Sequence, residues 1–136
     1  MLRTIEKEGV TYAIIATKEE DKKSGTRFFT PSDLTLQMGI IQHDASYVEP
    51  IHYHRPKRRV VTQTYETLQV TRGSVHVDFF KTLESKKPFE SVLLKAGDLI
   101  LLLDGPHRIR TDKGFAGVKV KQGPYISIEE DKVIAE

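Results

Sequence analysis

Hydrophobic and polar residues alternate along this chain with the period of two expected of strands, and the stretches that do so are short. Val10 to Thr17 reads as a strand and runs into a polar turn, Lys18 to Gly25. Thr35 to Gln42 reads as another, and Glu49-Pro50 breaks the chain before Ile51-His52-Tyr53-His54. Val60 to Tyr65 and Glu66 to Thr71 have strand character, with Arg72-Gly73 as a turn. In Ser74 to Phe80 the alternation puts Val75, Val77 and Phe79 on one face. Glu84 to Pro88 is a loop, and Ser91 to Leu94 continues the pairing. After the turn Ala96-Gly97-Asp98, the run Leu99 to Leu103 is apolar on both faces, which predicts a strand buried on both sides. Asp104-Gly105-Pro106 ends it, and further strands are expected over His107 to Thr111 and Gly117 to Gln122. The one short helix expected starts near Pro31-Ser32-Asp33. Short strands at nearly even spacing point to a sandwich or a barrel.

Composition strengthens that picture. Val, Ile and Thr supply 34 of the 136 residues, whereas Ala supplies 6. Branched side chains fit a pleated sheet and lose rotamer freedom in a helix, so an all-β fold is favoured. The length suits one domain spanning 1–136, and neither repeats nor a linker interrupt it. A formal net charge of +2 gives no general attraction to nucleic acid, and aromatic interleaving of the basic residues is absent. No stretch approaches the roughly 20 apolar residues of a membrane span, and the first eight residues lack a signal-peptide core; a cytoplasmic location is the expectation. With no Cys, a metal here has only imidazole and carboxylate donors.

Five His occur, and two of them, His52 and His54, stand two apart. On a strand that spacing aims both rings to one side, where they can converge on a cation about 2 Å from each nitrogen; two exposed strand His residues are the plainer alternative. Glu66 shares a face with Leu68 and Val70, so its carboxylate points where the apolar residues point. That is costly unless a cation meets it, whether a metal, an Arg or a Lys. Gly97 to His107 then delivers one more His at the end of the expected buried strand. His43 reads as a rim residue, Tyr53 as packing, and His76 beside Asp78 as a satisfied surface pair. The Phe28-Phe29 and Phe79-Phe80 pairs suit core and dimer packing.

In this order and spacing the chain resembles the cupin superfamily of small double-stranded β-helix (jelly-roll) barrels over roughly residues 35 to 125. The first cupin motif is matched by His52-x-His54, by Glu66 and by Gly73 six residues beyond it. The second is matched by Gly97-Asp98, Gly105 and His107. Ser46 stands in place of the leading Gly, and eleven residues separate His54 from Glu66. Leu103 replaces the motif Pro, His107 comes one residue early, and Thr111 replaces the closing Asn. A one-residue shift turns a strand residue to the opposite face unless the preceding turn absorbs it, and Gly105-Pro106 is placed to do so.

The resemblance implies a cupin barrel holding one divalent metal ion (Zn, Mn, Fe, Ni or Co) through His52, His54, Glu66 and His107. It also resembles a subgroup of small single-domain cupins that accompany sugar-nucleotide and polysaccharide pathways, and it implies a homodimer. Three imidazoles and a carboxylate leave two open positions on an octahedral ion. The implied function is binding or turnover of a small polar ligand, such as a sugar or sugar-nucleotide, by isomerase-type Lewis-acid chemistry. The alternatives on the same scaffold are an Fe(II) dioxygenase and a non-catalytic binding or sensor protein. Arg55-Pro56-Lys57-Arg58-Arg59 places four cations just after His54, as a solvated loop or as a phosphate or carboxylate clamp. Arg59 and Lys121 are the candidate substrate-binding residues; an exposed strand face accounts equally for Lys119 and Lys121.

Overall fold

The structure, a computed structural model, describes residues 2–18 and 23–136. Its elements in chain order are β1 (Leu2–Lys7), β2 (Val10–Ala16), β3 (Gly25–Phe28), β4 (Gly39–Gln42), β5 (Glu66–Arg72), β6 (Ser74–Phe79), β7 (Glu90–Lys95), β8 (Leu99–Leu102), β9 (His107–Thr111), β10 (Ala116–Lys121) and the four-residue helix α1 (Ile128–Asp131). All strand pairs are antiparallel, and the protein is nearly all β. The chain divides into two compact units: Met1–Glu19 with Gln63–Glu136, and Glu20–Thr62.

In the larger unit, β1-β2-β8-β5-β10 form one sheet and β7-β6-β9 a second; among the described residues neither sheet closes on itself. Alternation decides which side chains meet between them. Ala13 and Ile15 of β2, Leu68 and Val70 of β5, Ile100 and Leu102 of β8, and Val75, Val77 and Phe79 of β6 form one buried cluster. Phe79 is fully buried, and Tyr12 and Phe89 meet each other and Phe79 edge-on or tilted. Each Val, Leu, Ile and Phe of the cluster contributes on the order of 1.5–3 kcal/mol by leaving water, so this cluster holds the unit together. Ile100, Leu101 and Leu102 are all buried, as the two-sided apolar run of β8 predicts. The β1–β2 hairpin turns on Glu8-Gly9, both with positive φ, which suits the two-residue turn that matches strand twist.

The smaller unit holds the β3–β4 pair, and here several sequence expectations are corrected. The strand predicted from Thr35 begins only at Gly39. No helix forms at Pro31-Ser32-Asp33; Leu34 N–H donates to the Pro31 carbonyl in a turn. The Gln37 amide donates to the carbonyls of Pro31 and Leu34, and Met38 N–H donates to the Thr30 hydroxyl. Those side-chain bonds satisfy the backbone locally, in place of a continued helix or strand. Residues 60–65 are irregular, and within the turn predicted over Lys18 to Gly25, residues 19–22 lie outside the described residues.

Candidate functional site

β5 enters its sheet with Glu66 on the inner face, the face of Leu68 and Val70, and Glu66 pairs across to Leu102. Its side chain is 11% exposed, at the end of the sheet where the apolar core stops. A carboxylate there needs a cation, and the Lys119 ammonium on β10 donates to Glu66 Oε1 at 2.8 Å. Of the cations that the sequence left open, Lys119 is the one found.

The one-residue departure at His107 is resolved by β9. Ile109 packs against the core, and His107, two residues earlier, lies on the same inner face, paired with Phe79. The turn before it depends on Gly105, whose φ is +74°. A Cβ there would lie 2.1 Å from Tyr12 Cε1, so no larger residue fits without moving a core ring. His107 Nδ1 lies 3.1 Å from the Gly105 carbonyl. A carbonyl only accepts, so in the neutral ring the proton sits on Nδ1 and the lone pair on Nε2.

Glu66 and His107 line one cavity of about 930 Å3, together with Phe80, Leu102, Arg108, Lys119, Lys121 and residues 131–135. Lys121 pairs in register with Glu66 and shares its inner face with Lys119. Its ammonium donates to Asp131 Oδ2 at 2.6 Å and lies 5.0 Å from the centre of the Tyr125 ring. The Asp131 carboxylate holds the Lys121 ammonium above the usual lysine range. Lys119 and Lys121 therefore face a cavity, not bulk solvent alone.

His52 and His54 belong to the smaller unit, in an irregular segment with no strand. Their rings are 5.4 Å apart at 88°, and His52 Nδ1 lies 2.9 Å from the Pro50 carbonyl, which puts the lone pair of the neutral ring on Nε2 here too. Arg59 is exposed and donates to the Lys57 carbonyl. Tyr53, expected to pack, is 82% exposed, because the segment around it has no sheet partner. Within neither unit, among the described residues, do three His, Asp or Glu side chains gather as a metal centre needs. His43 stacks on Tyr47, with ring centres 4.2 Å apart.

Asp78 corrects a further expectation. It does not serve His76: its carboxylate is 1% exposed and accepts from Arg108, Arg110 and the Ser91 hydroxyl. Arg110, with Ser91 and Arg108, holds it far below the usual carboxylate range against the opposing effect of burial. The signal was in the sequence, since Arg108 and Arg110 stand two apart on the face opposite Ile109. The roles of Lys119 and Asp131 had a weaker signal, a lysine pair at strand spacing and an acidic run near the C-terminus. No family model, curated protein or solved structure matches the chain.

Proposed function

We propose that the protein is a metal-binding jelly-roll protein of the cupin kind whose cavity takes a small polar, oxyanion-bearing molecule such as a sugar phosphate or sugar-nucleotide. The observation that carries this reading is that Glu66 and His107 line one cavity, with the His107 Nδ1 turned to the Gly105 carbonyl and two lysine ammonium groups alongside. Titratable groups of several kinds gathered at one cavity mark a candidate ligand site.

The donor chemistry fits one divalent metal of the Zn, Mn, Fe, Ni or Co type: His52, His54, Glu66 and His107 are the proposed ligands. The carbonyls of Pro50 and Gly105 fix two of the imidazoles in the tautomer that ligation needs. When bound, such an ion supplies Lewis-acid polarisation of a carbonyl or enediolate oxygen, the chemistry of an isomerase. Lys121 attracts the anionic end of the ligand, and Leu102 and Phe80 exclude water beside it. Protein purified without chelator should carry close to one equivalent of metal by mass spectrometry, and His107→Ala and His52→Ala should each lower it at least fivefold. Content well below one equivalent, unchanged in both variants, would overturn the metal reading.

A second reading is a binding or sensor protein without turnover. It is favoured by the pairing of the cavity's acids: Glu66 is bonded to Lys119, Asp131 to Lys121, and Asp104 accepts from Gly105 N–H. None of the three is poised as a free general base. Ligand-induced stabilisation without consumption of the same sugar phosphate distinguishes this reading from the enzymatic one.

A further inference from the structure

Beyond β10 the chain is anchored very differently from the sheets. The last backbone bond tying it to a strand region is Gln122 N–H to the Tyr65 carbonyl, 2.8 Å. From Gly123 to Glu136 no residue is buried, and Ile126, Ile128, Val133 and Ile134 are between 52% and 80% exposed. Helix α1 is one turn, capped by the Ser127 hydroxyl, and buries nothing. Yet residues 131–135 line the cavity. What holds them there is polar: Asp131 on Lys121, with Tyr125 beside the same ammonium.

Lys121 is also the most enclosed of the cavity's bonded cations. Its side chain is 22% exposed, against 44% for Lys119 and 57% for Arg108. Lys119 is committed to Glu66 and Arg108 to Asp78, both acids within strands. Only for Lys121 does the partnering acid come from a segment with no buried residue. An enclosed ammonium with a partner on a loosely held segment is a site where an exogenous oxyanion can replace that partner at little cost to the fold.

We propose that residues 123–136 form a displaceable strap, in which the Asp131 carboxylate fills in cis the place at Lys121 that a carboxylate or phosphate group of the ligand takes. The proposal rests on reading the cavity as a ligand site, but not on its holding a metal. Strap and ligand then compete: the strap keeps the empty cavity covered, and an oxyanion of sufficient affinity opens it.

Amide exchange of the 123–136 peptide, followed by mass spectrometry in the full chain, tests the strap. Inorganic phosphate is the probe, with chloride at equal ionic strength as the control. Asp131→Asn should raise exchange in this peptide at least threefold and leave the strand peptides at wild-type levels. Phosphate should raise it in the wild type at least twice as much as chloride does. Phosphate affinity, from amide shifts in NMR titration, should rise at least threefold in Asp131→Asn and vanish in Lys121→Met. Unchanged tail exchange in Asp131→Asn overturns the latch. Equal effects of phosphate and chloride, or a phosphate affinity indifferent to residues 121 and 131, overturn the competition. Metal content enters none of these readouts, so loss of the metal reading and loss of the strap are separate results.

Discussion

Among the carboxylates of the larger unit that are withdrawn from water, Asp78 and Glu66 are treated in opposite ways. Asp78 lies on the outward side of β6, and two arginines and a serine bond both of its oxygens. Glu66 lies on the inward side of β5, where Lys119 bonds Oε1 and the residue lines a cavity. The first is a finished structural acid: its charge is fully answered, and it clamps β6 to β9 and β7. The second lies at a cavity beside a half-exposed lysine, and that leaves room for chemistry. Strand β9 serves both, sending His107 inward toward the cavity and Arg108 and Arg110 outward to Asp78. Burial of an acid therefore says little about its role until its bonds are counted.

The contrast can be broken most severely at the turn that sets β9. Gly105→Ala puts a Cβ into the Tyr12 ring at a positive φ and should cost about 3–4 kcal/mol in urea unfolding, disturbing both acids together. Asp78→Ala comes next: it removes several charge-assisted bonds but leaves arginines that can rehydrate, so a loss of about 2–3 kcal/mol is expected.

Acid titration sharpens the same point. Asp78 titrates below its ordinary value near 4, so the stability it contributes is complete above that pH and is lost as pH falls toward its folded value. The gap in unfolding free energy between the wild type and Asp78→Asn should be constant from about pH 7 to 5 and narrow below about 4. Glu66→Gln should be the mildest for stability, within about 1 kcal/mol, because the amide oxygen still accepts from the half-exposed Lys119. If Glu66→Gln instead costs as much as Asp78→Ala, the two acids are alike and Glu66 is structural.

Much of the larger unit was legible in the chain. Val75, Val77 and Phe79 alternate in sequence and are fully buried on one face, and the Leu99 to Leu103 run announced a strand covered on both sides. The smaller unit was less so. Thr35, Leu36 and Val60 have strand-forming side chains but no strand there, because a strand exists only where a neighbour supplies its hydrogen bonds. The Gln37 network could not be read from periodicity, since it runs from one side chain to three backbone or hydroxyl groups. Likewise, the acidic run at 129–131 carried no hint of its partner, which lies on a strand bonded elsewhere.

The alternation of side chains and the absence of Cys determined, from sequence alone, an all-β protein whose only candidate metal donors are imidazoles and carboxylates. That follows because strand facing has a period of two and donor types are written in the residues themselves. Which cation answers Glu66, which acid holds Lys121, which groups hold Asp78, and which way His107 faces were decided only by tertiary structure. All but the Lys121 partner, which comes from the tail beyond β10, depend on the register between strands apart in sequence, and a shift of a single residue would have reversed the answer.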